Sequence, residues 1–185
     1  KGVPASLFMA ITRSLFRTLS QHVLSPAKIV TEMNNSISDN NESNMFVTLI
    51  VGILDLETGI LKLCNAGHNP PILIYPDGQV SYLEFKTQIF VGVVEDFKYS
   101  DEEVVLEKES KLFLYTDGVT EAENINKELY GEEKLLEMLS DNASSDVRTT
   151  VNVVVDSIAS HVKEAEASDD LTILLIQYEP GTANS

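Results

Sequence analysis

The period of the apolar residues changes twice along this chain, and that change constrains the fold more than any other feature. From Val3 to Ser20, Leu7, Phe8, Ile11, Leu15 and Leu19 recur at steps of three and four, one face of a helix with Pro4 suited to its first turn. Ser25-Pro26 reads as a cap and first position, and Ile29, Val30, Met33 and Ile37 form a second stripe. After a polar break at Asn40–Asn44 the pattern turns to strand. Met45–Leu54 and Ile60–Ala66 flank a turn at Asp55–Gly59, and Ile72–Tyr75 and Gln79–Leu83 flank Pro76-Asp77-Gly78, a hairpin signal. Glu103–Leu106 and Lys111–Tyr115 read as further strands, so the middle of the chain is predicted to be an antiparallel meander.

Helical spacing then returns. Leu135, Leu136 and Leu139 follow Gly131-Glu132-Glu133, with acids placed for a helix N-terminus. Val147, Val151, Val154, Val155, Ile158 and Val162 share a helical face behind a Ser144-Ser145-Asp146 cap. Leu171–Tyr178 is predicted as a last strand, apolar and buried on both faces, and Glu179–Ser185 as a frayed tail. Helices, strands, helices and a strand imply an α+β fold, with two sheets packed together and helices outside. One domain is expected.

Composition excludes several functions. The 185 residues are 43% hydrophobic and carry 29 acids against 13 bases, a net charge of -16. That field disfavours nucleic acid and direct membrane contact. One cysteine, Cys64, excludes a disulfide framework, and no apolar stretch reaches the ~20 residues that span a bilayer. No signal peptide is visible, and a reducing cytoplasm fits.

Two acidic clusters carry the chemistry. Tyr115-Thr116-Asp117-Gly118-Val119-Thr120-Glu121-Ala122 follows one apolar strand, and Ser168-Asp169-Asp170-Leu171-Thr172 precedes another. Each alone is an ordinary acidic loop. Brought together by strand pairing, the carboxylates repel unless a cation neutralises them, and oxygen-only ligands suit Mg²⁺ or Mn²⁺. A hard divalent site points to phosphoryl chemistry. Cys64 is read as a buried structural thiol, because a Cys-x5-Arg phosphatase loop would need Arg where Pro70 stands. His68, in Gly67-His68-Asn69-Pro70-Pro71, is read as a turn residue close to the site, and His22 and His161 as exposed helical residues.

These segments, with Lys1-Gly2-Val3-Pro4-Ala5, Ala66-Gly67-His68-Asn69-Pro70-Pro71 and Tyr130-Gly131, occur in the order of a known family. The chain resembles the PPM family of metal-dependent serine/threonine phosphatases, in the bacterial SpoIIE and RsbU-like branch, from residue 1 to about 178. The resemblance implies an α-β-β-α sandwich with two Mg²⁺ or Mn²⁺ ions at one end of the sheets and a metal-activated water as nucleophile. By position Asp117 and Asp169 match metal ligands, while Gly118, Asp170 and His68 flank them without direct ligation. It further implies a phosphorylated protein substrate, an anti-sigma-factor antagonist of STAS fold, and a sensor domain upstream in a parent protein, which is compatible with a membrane anchor.

The chain departs from that pattern at its start. In the branch a Gly-Asp-Val-Ser-Gly motif precedes Lys-Gly-Val-Pro and supplies an Asp that bridges both metals. This sequence begins after it, so a domain truncated at its N-terminus, inactive alone, with an open sheet edge inviting homodimerisation, is expected. The first two helices (Leu7, Ile11, Leu15; Ile29, Met33) are core packing and, in the resembling branch, a switch for upstream domains. The alternative function is a catalytically inactive docking module with the same fold.

Overall fold

The computed structural model describes residues 3–39, 41, 44–84, 86, 88–165 and 169–180. Its elements are α1 Val3–Leu19, α2 Pro26–Ser38, β1 Leu49–Leu54, β2 Ile60–Ala66, β3 Ile72–Ile74, β4 Val80–Tyr82, β5 Glu102–Val105, β6 Lys111–Tyr115, α3 Asp117–Thr120, α4 Glu132–Asp141, α5 Val147–Val162 and β7 Ile173–Gln177. The fold is α+β with two antiparallel sheets, as expected. The strands do not run as one meander. One sheet has the order β1-β2-β5 and the other β4-β3-β6-β7, so β2 pairs with β5 across the whole β3–β4 hairpin. Lys1-Gly2, Ser168, most of the polar break and most of the predicted tail lie outside the described residues.

The residues group into two compact units. The first comprises Lys1–His68 and Phe85–Val105. Here α2 is the buried helix: Ile29, Val30, Met33 and Ile37 pack with Val51, Cys64, Ala66, Val91 and Tyr99. Ser25 caps it, its Oγ accepting from the Lys28 N–H at 3.2 Å, and Asp101 accepts from both Ser25 Oγ and the Ala27 N–H. Those bonds satisfy donors that a helix start leaves without partners. Side-chain amides fix the segment that returns over this unit. Buried Asn34 donates to Val94 O at 2.8 Å and accepts from Gly92 N at 2.9 Å, while Gln88 accepts from Ser100 N at 2.7 Å. α1 differs from expectation. Phe8, Leu15 and Leu19 pack on the core, but Leu7 and Ile11 are 60% and 55% exposed, and the buried residue of this helix is Thr12.

The second unit comprises Asn69–Glu84 and Leu106–Ser185. α4 and α5 lie against its sheet, where Leu135, Leu139, Val154 and Ile158 meet Ile72, Ile74, Phe113, Tyr115 and Leu175. The valine-rich α5 is helical because its apolar positions keep helical spacing and Asp146 caps it, accepting from Thr149 N at 3.0 Å and Thr149 Oγ1 at 2.6 Å. Lys111 is buried, its amine held by the Ala143 and Ser145 carbonyls, and burial lowers its pKa. β7 corrects a sequence expectation. It is an edge strand of its sheet, and Leu174 and Ile176 are exposed while Leu175 is buried, so its continuous apolar character does not mean burial on both faces.

Candidate functional site

β6 and β7 run antiparallel in a register that opposes Tyr115 to Ile173. The residues just after β6 and just before β7 therefore leave the sheet at one edge, 117–118 on one side and 169–170 on the other. Thr116 clasps them. Its N–H donates to Thr172 O at 3.1 Å, its Oγ1 accepts from Thr172 N at 3.2 Å, and the same hydroxyl donates to Asp170 O at 3.4 Å. Neither threonine is marked as functional by the sequence pattern, although both stand inside the two acidic motifs. A hydroxyl residue at each of two strand ends was the available signal.

Gly118 makes the approach possible. A Cβ there would fall on the carbonyl oxygen of Asp170 and 3.0 Å from its carbonyl carbon, so the 117–120 helix and the 169–171 segment touch backbone to backbone. Asp117 opens α3. Its Oδ1 accepts from the Gly118 N–H at 2.9 Å, and its carbonyl accepts from Glu121 N at 2.7 Å. Asp169 is held the same way, its Oδ1 accepting from the Asp170 N–H at 2.8 Å. Each carboxylate is thus oriented by the following amide and still faces solvent. Among the described residues no salt bridge reaches Asp117, Asp169 or Asp170. Tyr130-Gly131 has a structural part here: Gly131 N donates to Thr120 O at 2.9 Å and Tyr130 N to Ala122 O at 2.9 Å, tying α3 to the start of α4.

Four of the five predicted residues, Asp117, Gly118, Asp169 and Asp170, gather at this edge. His68 belongs to the first unit, where it is engaged in a turn. Its N–H donates to Asn65 Oδ1 at 2.8 Å, its carbonyl accepts from Asn65 Nδ2 at 2.9 Å, and its Nδ1 lies 3.1 Å from Thr48 Oγ1. Cys64 is fully buried beside Gln88, and burial pushes its thiol up to about 12. His22 is exposed as expected, whereas His161 is half-buried, with Nε2 3.0 Å from Glu128 O and its ring edge-on to Tyr130.

The donor chemistry of the edge fits a hard divalent ion, since two carboxylates with solvent-facing oxygens are held on rigid backbone. It is a partial set. Among the described residues no group of three His, Cys, Asp or Glu side chains is placed to hold a metal ion. The same residues include no helix long and apolar enough to cross a membrane.

Two antiparallel sheets with their helices, and an acidic edge where β6 meets β7, define the fold class of the bacterial PP2C-type domains. The SiaA-PP2C domain of Pseudomonas aeruginosa superposes with a TM-score of 0.83 at 21% identity, over 96% of this chain and 72% of that one. RsbX in complex with magnesium gives a TM-score of 0.67 at 19% identity, over 96% of this chain and 75% of that one. Within that class the chain belongs to the Stage II sporulation protein E (SpoIIE) family, whose model matches residues 1–179. Phosphoserine phosphatase RsbU of Bacillus subtilis is 24% identical over 96% of the chain and 52% of its own length. The chain spans from about a third to about half of the length of the curated relatives it matches.

Proposed function

We propose that the chain is the phosphatase part of a metal-dependent phosphoserine/phosphothreonine protein phosphatase in a bacterial signalling path of the cytoplasm. The observation that carries this reading is the backbone contact of Gly118 with Asp170, which puts the neighbouring Asp117 and Asp169 at the same end of β6 and β7, each carboxylate oriented by a backbone N–H. A divalent Mg²⁺ or Mn²⁺ ion supplies charge neutralisation for a phosphoryl group and activation of water. Asp117 and Asp169 offer it oxygen ligands. Gly118 keeps the two segments in contact, Thr116 fixes their register, and Asp170 orients Asp169 through its N–H. The names of the matched relatives favour a phosphoserine substrate, and the sigma-factor setting of the resembling branch favours a phosphorylated STAS-type antagonist.

Asp117 and Asp169 alone do not assemble a metal pair, so the isolated chain is expected to be inactive or nearly so. The second reading is a docking module with the same fold and no catalysis. The experiment is Mn²⁺-dependent phosphate release from a phosphoserine protein, comparing this chain with a form extended upstream through a Gly-Asp motif. Activity in the extended form, abolished by Asp117→Asn, supports the enzyme. No release by either form from several phosphoproteins sinks it in favour of the docking module.

A further inference from the structure

Beside the acidic edge, and inside the second unit, lies a groove of about 290 Å³ lined by one side of α5 and by Gly118, Asp169 and Leu171. Its walls are aliphatic except at Asp169. α5 explains why it exists. Val154 faces the sheet, and Val155, Ile158, Ala159 and Val162, spaced i, i+3, i+4 and i+7, line the groove, with Ile158 and Val162 also packing on the core. Val155 on one wall and Leu171 on the other are each 39% exposed. Apolar side chains left open on both walls of a concave site mark a place where something apolar seats.

We propose that this groove is the specificity site for one bulky apolar side chain of the phosphorylated protein segment, close in sequence to the phosphoserine. The proposal rests on the phosphatase reading and names its substrate class. Gly118 and Asp169 are shared between the groove and the acidic edge, so a segment presenting its phosphoryl group to Asp117 and Asp169 passes along the groove mouth. At ~3.3 Å per extended residue, a side chain within about three residues of the phosphoserine reaches it. Charge decides against a second copy as occupant. A two-fold contact places the same patch on both partners, and here it would bring the acidic edges of two chains of net charge -16 together. An aliphatic wall ending in one carboxylate also discriminates by size and apolarity, because a missing methylene in such a pocket costs ~10–200-fold.

The test uses the full-length protein with Mn²⁺ and phosphoseryl peptides in which one leucine is moved through three positions on either side, against a glycine-flanked reference. Binding is read by fluorescence anisotropy and turnover by phosphate release, with p-nitrophenyl phosphate as a small substrate. At one position leucine is expected to strengthen binding and lower KM by about tenfold over the reference. Ala159→Phe, which fills the groove, and Val155→Asp, which charges its wall, are each expected to bring that ratio to about one. Val105→Ser, an exposed apolar change in the other unit, keeps it. Equal binding at every leucine position, or a preference that survives both variants, overturns the proposal. So does concentration-dependent dimerisation in sedimentation that Ala159→Phe abolishes, which would assign the groove to a second copy. If p-nitrophenyl phosphate and all peptides remain uncleaved, the phosphatase reading fails, and the anisotropy ratio still decides the groove.

Discussion

Two turns with glycine follow two strands of this protein, and they are built to opposite ends. After β2, Gly67 adopts φ +72°, and a Cβ there would clash with the edge of the Phe90 ring, 2.6 Å from Cε1. His68 is then bonded through its N–H, its carbonyl and its ring to Asn65 and Thr48. After β6, Gly118 is equally tight against Asp170, but the polar side chains on either side of the contact point outward. The first turn uses its polar groups to hold itself. The second spends backbone contacts on rigidity and leaves its carboxylates to solvent. Two carboxylates left to solvent, without an ion pair among the described residues, are the proposed ligands for a cation, whereas His68 uses its backbone and its ring to hold the turn.

Metal binding breaks or sharpens that comparison most directly. Asp169→Asn is expected to weaken Mn²⁺ binding to the catalytically competent protein by roughly 100-fold, the scale of about 3 kcal/mol for one charge-assisted contact, whereas His68→Ala leaves it unchanged. Calorimetric titration with Mn²⁺ measures both, and equal losses would erase the distinction between the turns. Next in size are the two glycines. Gly118→Ala and Gly67→Ala should each destabilise by about 1–3 kcal/mol through overpacking, read by urea unfolding. Gly118→Ala should weaken Mn²⁺ binding as well, because it moves the 117–120 segment from 169–171; Gly67→Ala should not.

Asn65→Ala leaves the His68 N–H and carbonyl without their amide partner and is expected to cost about 1–2 kcal/mol with no effect on phosphate release. A smaller effect concerns pH. The Thr149 hydroxyl and N–H hold the Asp146 carboxyl below its ordinary value. A depressed folded pKa contributes stability that is present above the unfolded value, ~3.9, and is lost as pH falls through the lower folded value. Asp146→Asn should therefore flatten the stability curve on the acid side of pH 4, measured by thermal melts across pH 2–5. The smallest signal is at Cys64. With its thiol pushed up to about 12 by burial, it should resist iodoacetamide at pH 8 in the native protein and react once urea opens the core.

Most elements were legible because their determinants are local. The helical stripe of α2, its Ser25 cap, the Asp77-Gly78 hairpin and the Asp146 cap of α5 each lie within a few residues of the structure they specify. Asp117 and Asp169 stood out for a related reason, as acids set against the ends of apolar strands. What misled was character read without partners. The apolar run of β7 and the residues Leu7 and Ile11 of α1 suggested burial, yet Leu174 and Ile176 of that run, and Leu7 and Ile11, are exposed.

The sequence by itself determined the α+β class and most of the helices and strands, since period and capping act over short stretches. Tertiary structure alone decided which strands share a sheet and that Thr116 clasps Thr172. It also made one side of α5 the wall of a groove beside Asp169. Those outcomes depend on pairings between distant residues, Leu63 with Glu102 in one sheet and Thr116 with Thr172 at the end of the other, and no local rule of spacing encodes a pairing that distant.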